Sequence, residues 1–190
     1  MIFNGTTDLK SHTYCKDQNS APLKIFYIGE FIPYNRKVAD RGEFTSRILA
    51  LKGGADSEAI DFFFQRLEPL LGYGFSITIA PSSDPANPPG GLFRLVGKLA
   101  SNNRDDVTAC LVRHTRIPPM ALSGVYKTRT DVNKHLESIS VQHADLIKGR
   151  EVLLMDDMST TGTTLRACEK LLLDAGASKV VCLALGKTQR

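Results

Sequence analysis

The stretch that most constrains this chain is Val152–Thr164, an apolar run followed by two acids and a hydroxyl-rich loop. Its first four residues, Val152–Met155, are all apolar, which is typical of a parallel strand buried on both faces. Asp156 and Asp157 follow directly, and a helical pattern begins after the loop. Since ligands of open α/β sheets bind at the carboxyl ends of the strands, we expect a ligand site here.

The residue types in this stretch fit a sugar phosphate. Successive side chains of a strand point to opposite sides, so Asp156 and Asp157 can reach separate groups, such as neighbouring hydroxyls or a hydrated metal ion. The following loop offers backbone N–H groups, threonine hydroxyls and a helix N-terminus, which together favour an anion. Gly162 is expected where a phosphate approaches the backbone. The simpler alternative is a buried strand followed by a well-capped helix.

The rest of the chain alternates between strand and helix patterns, which predicts a three-layer α/β domain with a mainly parallel sheet. We expect residues 1–22 to be a polar, irregular segment and residues 23–190 to form a single domain, in which residues 23–74 make a hood or subdomain. Ser57 is expected to cap the second helix. The predicted strands are Leu23–Ile28, Phe75–Ala80, Val107–Val112, Val152–Met155 and Val180–Leu185, and the predicted helices are Glu43–Lys52, Glu58–Leu71, Leu92–Ala100 and Thr164–Ala175.

Composition narrows the classes of function. A net charge of +4 on 190 residues is small and scattered, which argues against nucleic acid as a direct ligand and suits a polyanionic substrate. No apolar run approaches the roughly 18 residues of a membrane span, and the polar N-terminus does not predict a signal peptide. None of the four cysteines forms a C-x-x-C pair, so we expect no zinc site. Cys110 and Cys182 lie in apolar runs, as core residues of a cytoplasmic protein would.

The ordered string of four apolar residues, two acids and a Thr/Gly loop closely resembles the 5-phosphoribosyl-1-pyrophosphate (PRPP) signature of type I phosphoribosyltransferases. The resemblance implies the fold of that family and a Mg²⁺ ion that bridges the pyrophosphate and the ribose hydroxyls. It implies that Asp156 and Asp157 contact the ribose hydroxyls, directly or through the metal and its water. It also implies that the 5-phosphate is held by Thr160, Thr161, Gly162, Thr163 and Thr164.

Two other segments correspond to parts of that family's site. The loop after the Phe75–Ala80 strand binds pyrophosphate through backbone amides in the family, and Ser82 and Ser83 fall in that place. The loop contains no basic residue, and an ordinary Pro-rich connection is an equally good interpretation. The long segment 117–149, predicted to be irregular, corresponds to a flexible loop that closes over the site, with Lys127 and Arg129 as its catalytic cations; a solvated basic loop is the alternative.

The chain is most similar to the ComF-like branch of the family, although that branch's N-terminal zinc-binding cysteine pairs are absent. Thr160 stands where purine-salvage members carry an acid that serves as base, which argues against a hypoxanthine/guanine enzyme. The resemblance implies a Mg-dependent transferase that uses PRPP or ribose 5-phosphate and a nitrogen acceptor, working as a homodimer in the cytoplasm. The alternative is a PRPP- or nucleotide-sensing module without turnover, acting in regulation, DNA uptake or defence. No segment identifies the acceptor base.

Overall fold

The computed structural model describes residues 1–5, 9–14, 21–33, 40–54, 56–117 and 132–189. Within these ranges no helix is long and apolar enough to cross a membrane. In chain order the strands and helices are β1 (Lys10–Tyr14), β2 (Leu23–Phe31), α1 (Gly42–Lys52), α2 (Ser57–Leu67), β3 (Ser76–Ile79), α3 (Gly90–Ala100), β4 (Asp105–Asp106), β5 (Leu111–Arg113), α4 (Val132–Ser138), β6 (Ile139–Val141), β7 (Glu151–Ser159), α5 (Thr163–Asp174) and β8 (Lys179–Thr188).

Six strands form one sheet in the order β1-β2-β8-β7-β3-β4. Every neighbouring pair is parallel except β1 and β2, which run antiparallel. The strands β5 and β6 form a separate antiparallel pair. The predicted three-layer α/β architecture with a mainly parallel sheet is therefore confirmed.

The two faces of the sheet carry two separate hydrophobic cores. Along β7, Leu153 and Met155 point to the core under α1, α2 and α3, whereas Val152 and Leu154 point to the core under α5. This alternation explains why β7 is apolar at successive positions, because both of its faces are covered. Residues 23–74, the region predicted as a hood, contribute β2 to the sheet and α1 and α2 to the first core.

The N-terminal segment differs from the prediction. Residues 1–22 were expected to be irregular, but β1 lies within them and pairs with β2 from Lys10 opposite Tyr27 to Tyr14 opposite Leu23. None of the five residues of β1 is fully buried. An edge strand that is mostly exposed needs no apolar pattern, so the sequence carries little signal for it.

β7 is longer than the predicted Val152–Met155 strand. The neighbouring β3 ends beside Met155, where the Ala80 amide donates a hydrogen bond to the Met155 carbonyl (2.8 Å). On the other side β8 continues, so that Ser159 of β7 still pairs with Lys187. The acidic pair therefore lies inside β7 rather than after it. At this point β3 has ended, and β7 is paired with β8 alone.

The predicted strand Val107–Val112 is not a single strand. After β4, the Asp106 carboxylate accepts hydrogen bonds from the Thr108 amide (2.9 Å) and hydroxyl (2.7 Å), which turns the chain. A short 3₁₀ turn, Thr108–Cys110, follows, and β5 leaves the main sheet to pair with β6. The segment 117–149 is likewise not irregular throughout, since it contains α4 and β6.

The second helix also differs at both ends. Its N-cap is Asp56 rather than Ser57, because the Asp56 carboxylate accepts a hydrogen bond from the Ala59 amide (3.1 Å). The helix ends at Leu67 instead of Leu71, and a 3₁₀ turn that contains Pro69 follows it. Proline cannot donate the backbone hydrogen bond that a longer helix would need.

Candidate functional site

A polar cavity of about 310 Å³ lies beyond the carboxyl end of β3, between the last turn of α1 and the first turn of α3. Such an edge of a parallel sheet is where ligands of α/β proteins bind. Acidic, basic and hydroxyl side chains face the cavity together, which suits a small charged ligand with several hydrogen-bonding groups. Its walls are formed by Leu51, Lys52, Ala80, Pro81, Ser82, Ser83, Asn87, Pro88, Pro89, Leu92, Arg113, His135, Asp156, Asp157, Met158, Thr160 and Thr164.

Asp156 and Asp157 both border this cavity, as the sequence predicts. The Asp157 amide donates a hydrogen bond to Oδ1 of Asp156 (2.9 Å). Burial and the neighbouring Asp157 raise the pKa of the Asp156 carboxyl well above its usual range, while the Lys52 ammonium acts in the opposite direction. A ligand that brings hydroxyl donors or positive charge to this carboxyl is therefore favoured.

This donor set fits a magnesium ion. Mg²⁺ is usually held in proteins by one or two carboxylates together with phosphate and water oxygens, and Asp156 and Asp157 supply two carboxylates at one cavity. Within the described ranges, no group of three or more His, Cys, Asp or Glu side chains is placed to hold a metal. The remaining oxygens would come from water and from a phosphorylated ligand.

Lys52 is a site residue that the sequence analysis did not identify. It ends α1, and its Nζ lies 3.2 Å from Oδ2 of Asp157. Close packing of α1 on α3 brings it there: a Cβ on Gly91 would overlap the Leu51 carbonyl, and one on Gly90 would lie 3.8 Å from Cα of Gly54. The glycine pairs at 53–54 and 90–91 were the available signal in the sequence, because two backbones can approach closely only where side chains are missing.

The loop after β7 leads into α5, and its glycine is required by the packing of the loop. Gly162 has φ +85°, a backbone conformation that favours glycine. A Cβ at this position would collide with Cδ1 of Ile25 and would contact Tyr14. The missing side chain therefore makes room for β1 and β2, and the approach of a phosphate at this glycine stays a prediction.

The threonines of this loop divide into two groups. Thr160 and Thr164 border the cavity, and the Thr160 carbonyl accepts a hydrogen bond from Nζ of Lys187 (2.8 Å). The hydroxyls of Thr161 and Thr163 are hydrogen-bonded to each other (2.9 Å), and neither residue forms part of the cavity wall. Of the five predicted phosphate-loop residues, Thr160 and Thr164 therefore border the cavity. Thr161, Gly162 and Thr163 shape the loop.

The loop 81–89 also borders the cavity and includes the predicted residues Ser82 and Ser83. Four of its nine residues are prolines, which have no N–H. The amides of Asp84, Ala86 and Asn87 already donate to acceptors inside the loop. Among the described residues, only the amides of Ser82 and Ser83 thus remain as backbone donors for an anion in this loop.

A buried arginine, Arg113, holds this loop in place. Arg113, which is 5% exposed, donates to the Ser82 carbonyl, to the Ser138 hydroxyl and to Nδ1 of His135 (3.2 Å). Burial lowers the pKa of the Arg113 guanidinium. Arg113 directly follows the predicted strand Val107–Val112, but its partners on α4 come from a segment that was predicted to be irregular.

The stability of the protein is expected to depend on His135. Burial, and to a lesser degree the Arg113 charge, lowers the pKa of His135 from 6.5 to about 4. The unfolded chain binds a proton on this ring near pH 6.5 and the folded protein only near pH 4. The contribution of His135 to the free energy of unfolding therefore keeps its full value above pH 6.5. It decreases by about 3 kcal/mol as the pH falls from 6.5 to 4.

Urea unfolding of the wild type and of His135→Asn between pH 7 and pH 4.5 measures this loss of stability. Asparagine keeps an acceptor for Arg113 and cannot take up the proton, so the variant should lose less stability on acidification. The matched control is His114→Asn, because His114 is exposed and should leave the pH dependence unchanged. Equal pH slopes for wild type and His135→Asn would contradict the prediction.

The comparisons with known proteins agree with this geometry. Residues 99–189 match the family model of the phosphoribosyl transferase domain. This match covers slightly less than half of the chain and includes the acidic pair, the threonine loop, Arg113 and His135. The architecture is consistent with the type I phosphoribosyltransferase fold. Lys52 and the loop 81–89 lie outside the matched residues.

One curated protein is similar to a short part of this chain. An adenine phosphoribosyltransferase of Treponema denticola is 38% identical to this chain over 55 residues. The aligned segment spans 29% of this chain and 29% of the length of that protein.

Lys127 and Arg129, the predicted catalytic cations, lie outside the residues that the structure describes.

Proposed function

We propose that this protein binds PRPP together with Mg²⁺ and transfers its phosphoribosyl group to a nitrogen nucleophile. The observation that carries the proposal is the arrangement around one cavity. Asp156, Asp157, Thr160, Thr164, Ser82 and Ser83 all border this cavity. The ribose of PRPP has neighbouring hydroxyls between a 5-phosphate and a 1-diphosphate, and it matches this combination of carboxylates and anion-binding groups.

The chemistry required is a substitution at ribose C1. The bond between C1 and the diphosphate oxygen breaks, and the lone pair of the acceptor nitrogen forms the new C1–N bond. The diphosphate leaves with the electron pair of the broken bond, and the acceptor proton passes to solvent or to the product diphosphate. The carbon passes through an oxocarbenium-like state, so carboxylates next to the ribose suit the positive charge that develops.

The residues of the chain supply binding and orientation rather than proton transfer. Asp156 and Asp157 accept hydrogen bonds from the ribose hydroxyls, and the threonine loop with the N-terminus of α5 holds the 5-phosphate. Mg²⁺, held at Asp156 and Asp157, would neutralise charge on the leaving diphosphate. Thr160 carries no carboxylate that could act as a base, which is why positioning and charge neutralisation are proposed as the main sources of rate.

The test is a transfer assay with PRPP, Mg²⁺ and a panel of acceptors that includes adenine, orotate, other nucleobases and ammonia. Release of diphosphate that depends on one acceptor, with formation of the matching ribonucleotide, is the expected result. Titration calorimetry with PRPP and Mg²⁺ accompanies the assay. Absence of both binding and turnover in the wild type would reject the proposal.

A second candidate is a PRPP- or nucleotide-sensing module without turnover, acting in regulation, DNA uptake or defence. It is favoured by the loop 81–89, which has no basic residue and few backbone donors for a leaving diphosphate. The variants Lys127→Ala and Arg129→Ala separate the two candidates, because an enzyme should lose rate while a sensor should keep most of its affinity for PRPP.

The subfamily, the cellular compartment and the oligomeric state are proposed from the sequence resemblance. We propose a ComF-like protein that acts in the cytoplasm as a homodimer. The buried, free state of Cys110, Cys168 and Cys182 suits a reducing compartment.

A further inference from the structure

The diphosphate end of the proposed site needs a cation that its loop does not provide. Three basic side chains border the cavity among the described residues: Lys52, Arg113 and His135. Arg113 is buried and already donates to Ser82, Ser138 and His135. His135 is neutral at physiological pH, because burial lowers its pKa to about 4. Of the cations in the described part of the chain, Lys52 is therefore the one that can meet a ligand in this part of the site.

The position of Lys52 suits a cation that changes partners. Its side chain is 41% exposed, and Asp157, its ion-pair partner at the cavity wall, is 19% exposed. A partly exposed ion pair contributes little net stability, so a ligand can replace it at small cost. The backbone at Lys52 is held firmly by the close contact of α1 with α3 at Gly91, while its long side chain remains free to turn.

We propose that Lys52 binds the diphosphate of the ligand and so determines that a 1-diphosphate is preferred to a free C1 hydroxyl. This inference rests on the proposed function. In the ligand-free protein Lys52 neutralises Asp157. When the ribose hydroxyls and the divalent cation engage the acidic pair, Lys52 is released and donates to the diphosphate oxygens. It thereby fills the role of a basic residue in the loop 81–89, although it comes from a different element.

The experiment compares two ligands that share the ribose and the 5-phosphate. PRPP and ribose 5-phosphate, each with Mg²⁺, are titrated calorimetrically into the wild type, Lys52→Met and Lys52→Arg. Lys52→Met should weaken PRPP binding about tenfold or more, as expected for a lost charge-assisted hydrogen bond, and should change ribose 5-phosphate binding by less than about threefold. Lys52→Arg should retain most of the PRPP affinity.

Lys98→Met is the matched control. Lys98 also lies near the end of a helix and pairs with an aspartate, Asp61, and its side chain is 43% exposed, but it does not border the cavity. This variant should bind both ligands as the wild type does.

Two results with a binding-competent wild type would overturn the role of Lys52. One is an unchanged PRPP affinity in Lys52→Met. The other is an equal loss for PRPP and ribose 5-phosphate, which would mean that Lys52 acts only by holding Asp157. A wild type that binds neither ligand would instead reject the proposed function, and the role of Lys52 would fall with it.

Discussion

The double substitution Asp156→Asn/Asp157→Asn is expected to weaken the binding of PRPP and Mg²⁺ at least 100-fold. Both carboxylates face the cavity, and each would form charge-assisted hydrogen bonds to ribose hydroxyls or contacts to the metal. Hydrogen bonds to charged groups contribute about 1.5–3 kcal/mol each, and an amide neither carries the charge nor binds Mg²⁺ well. Titration calorimetry of the wild type and the double variant measures the effect.

The loss should not come from unfolding. Burial and the neighbouring Asp157 raise the pKa of Asp156, so the ionised carboxylate is less favourable in the folded protein than in the unfolded chain. Asparagine removes this cost and the repulsion between the two acids. We therefore expect the free energy of unfolding of the double variant at neutral pH to be equal to or above that of the wild type.

The chain contains a matched control for this experiment. Asp105 and Asp106 are also adjacent aspartates on a strand of the same sheet, but both are exposed and neither borders the cavity. Asp105→Asn/Asp106→Asn should bind the ligand as the wild type does. An Asp156→Asn/Asp157→Asn protein that binds within about threefold of the wild type would show that the acidic pair is not the ribose site.

Replacing Arg104 by methionine should lower the free energy of unfolding by about 3–5 kcal/mol. The Arg104 side chain is completely buried and is held by acceptors from two parts of the chain, residues 68–72 and Leu99. Its Nε donates to the Gly72 carbonyl (2.7 Å), and its two terminal nitrogens donate to Glu68 (2.7 and 3.2 Å) and to the carbonyls of Leu99 (2.8 Å) and Leu71 (3.1 Å).

Methionine fills much of the same volume but removes the arginine donor from the Gly72 and Leu99 carbonyls. The Leu71 carbonyl and the Glu68 carboxylate keep only their hydrogen bonds from Asn4 and Asn102. Buried groups that lose a hydrogen bond in this way are costly. Burial alone would raise the pKa of Glu68, but hydrogen bonds from Arg104 and Asn102 outweigh it and lower the pKa. Glu68 is therefore ionised in the folded protein and needs its arginine. Arg104 does not border the cavity, so ligand affinity of the folded variant should not change.

Urea unfolding measures this effect, with Arg150→Met as the control. Arg150 also pairs with an acid, Asp105, but its side chain is 51% exposed and the pair lies at the surface. Its replacement should change the free energy of unfolding by no more than about 0.5 kcal/mol. A loss below about 1 kcal/mol in Arg104→Met would mean that the hydrogen bonds of Arg104 are not structurally important.

The local parts of the site could be predicted from the sequence. The apolar run Val152–Met155, the acids after it and the helix that begins near Thr164 lie next to each other in the chain, so periodicity and residue type place them correctly. The alternation of strands and helices likewise predicted the layered α/β architecture, because a mainly parallel sheet needs helices on both faces.

Other features depended on which distant segments meet. Lys52 reaches Asp157 only because α1 packs closely on α3, and Arg113 supports the loop at Ser82 only because α4 lies beside β5. Local pattern reports whether a residue is buried or helical, but not which charge lies opposite it. The sequence by itself therefore determined the layered α/β architecture, the acidic pair and the hydroxyl loop, whereas the tertiary structure decided which cations accompany them, since those contacts join residues far apart in the chain.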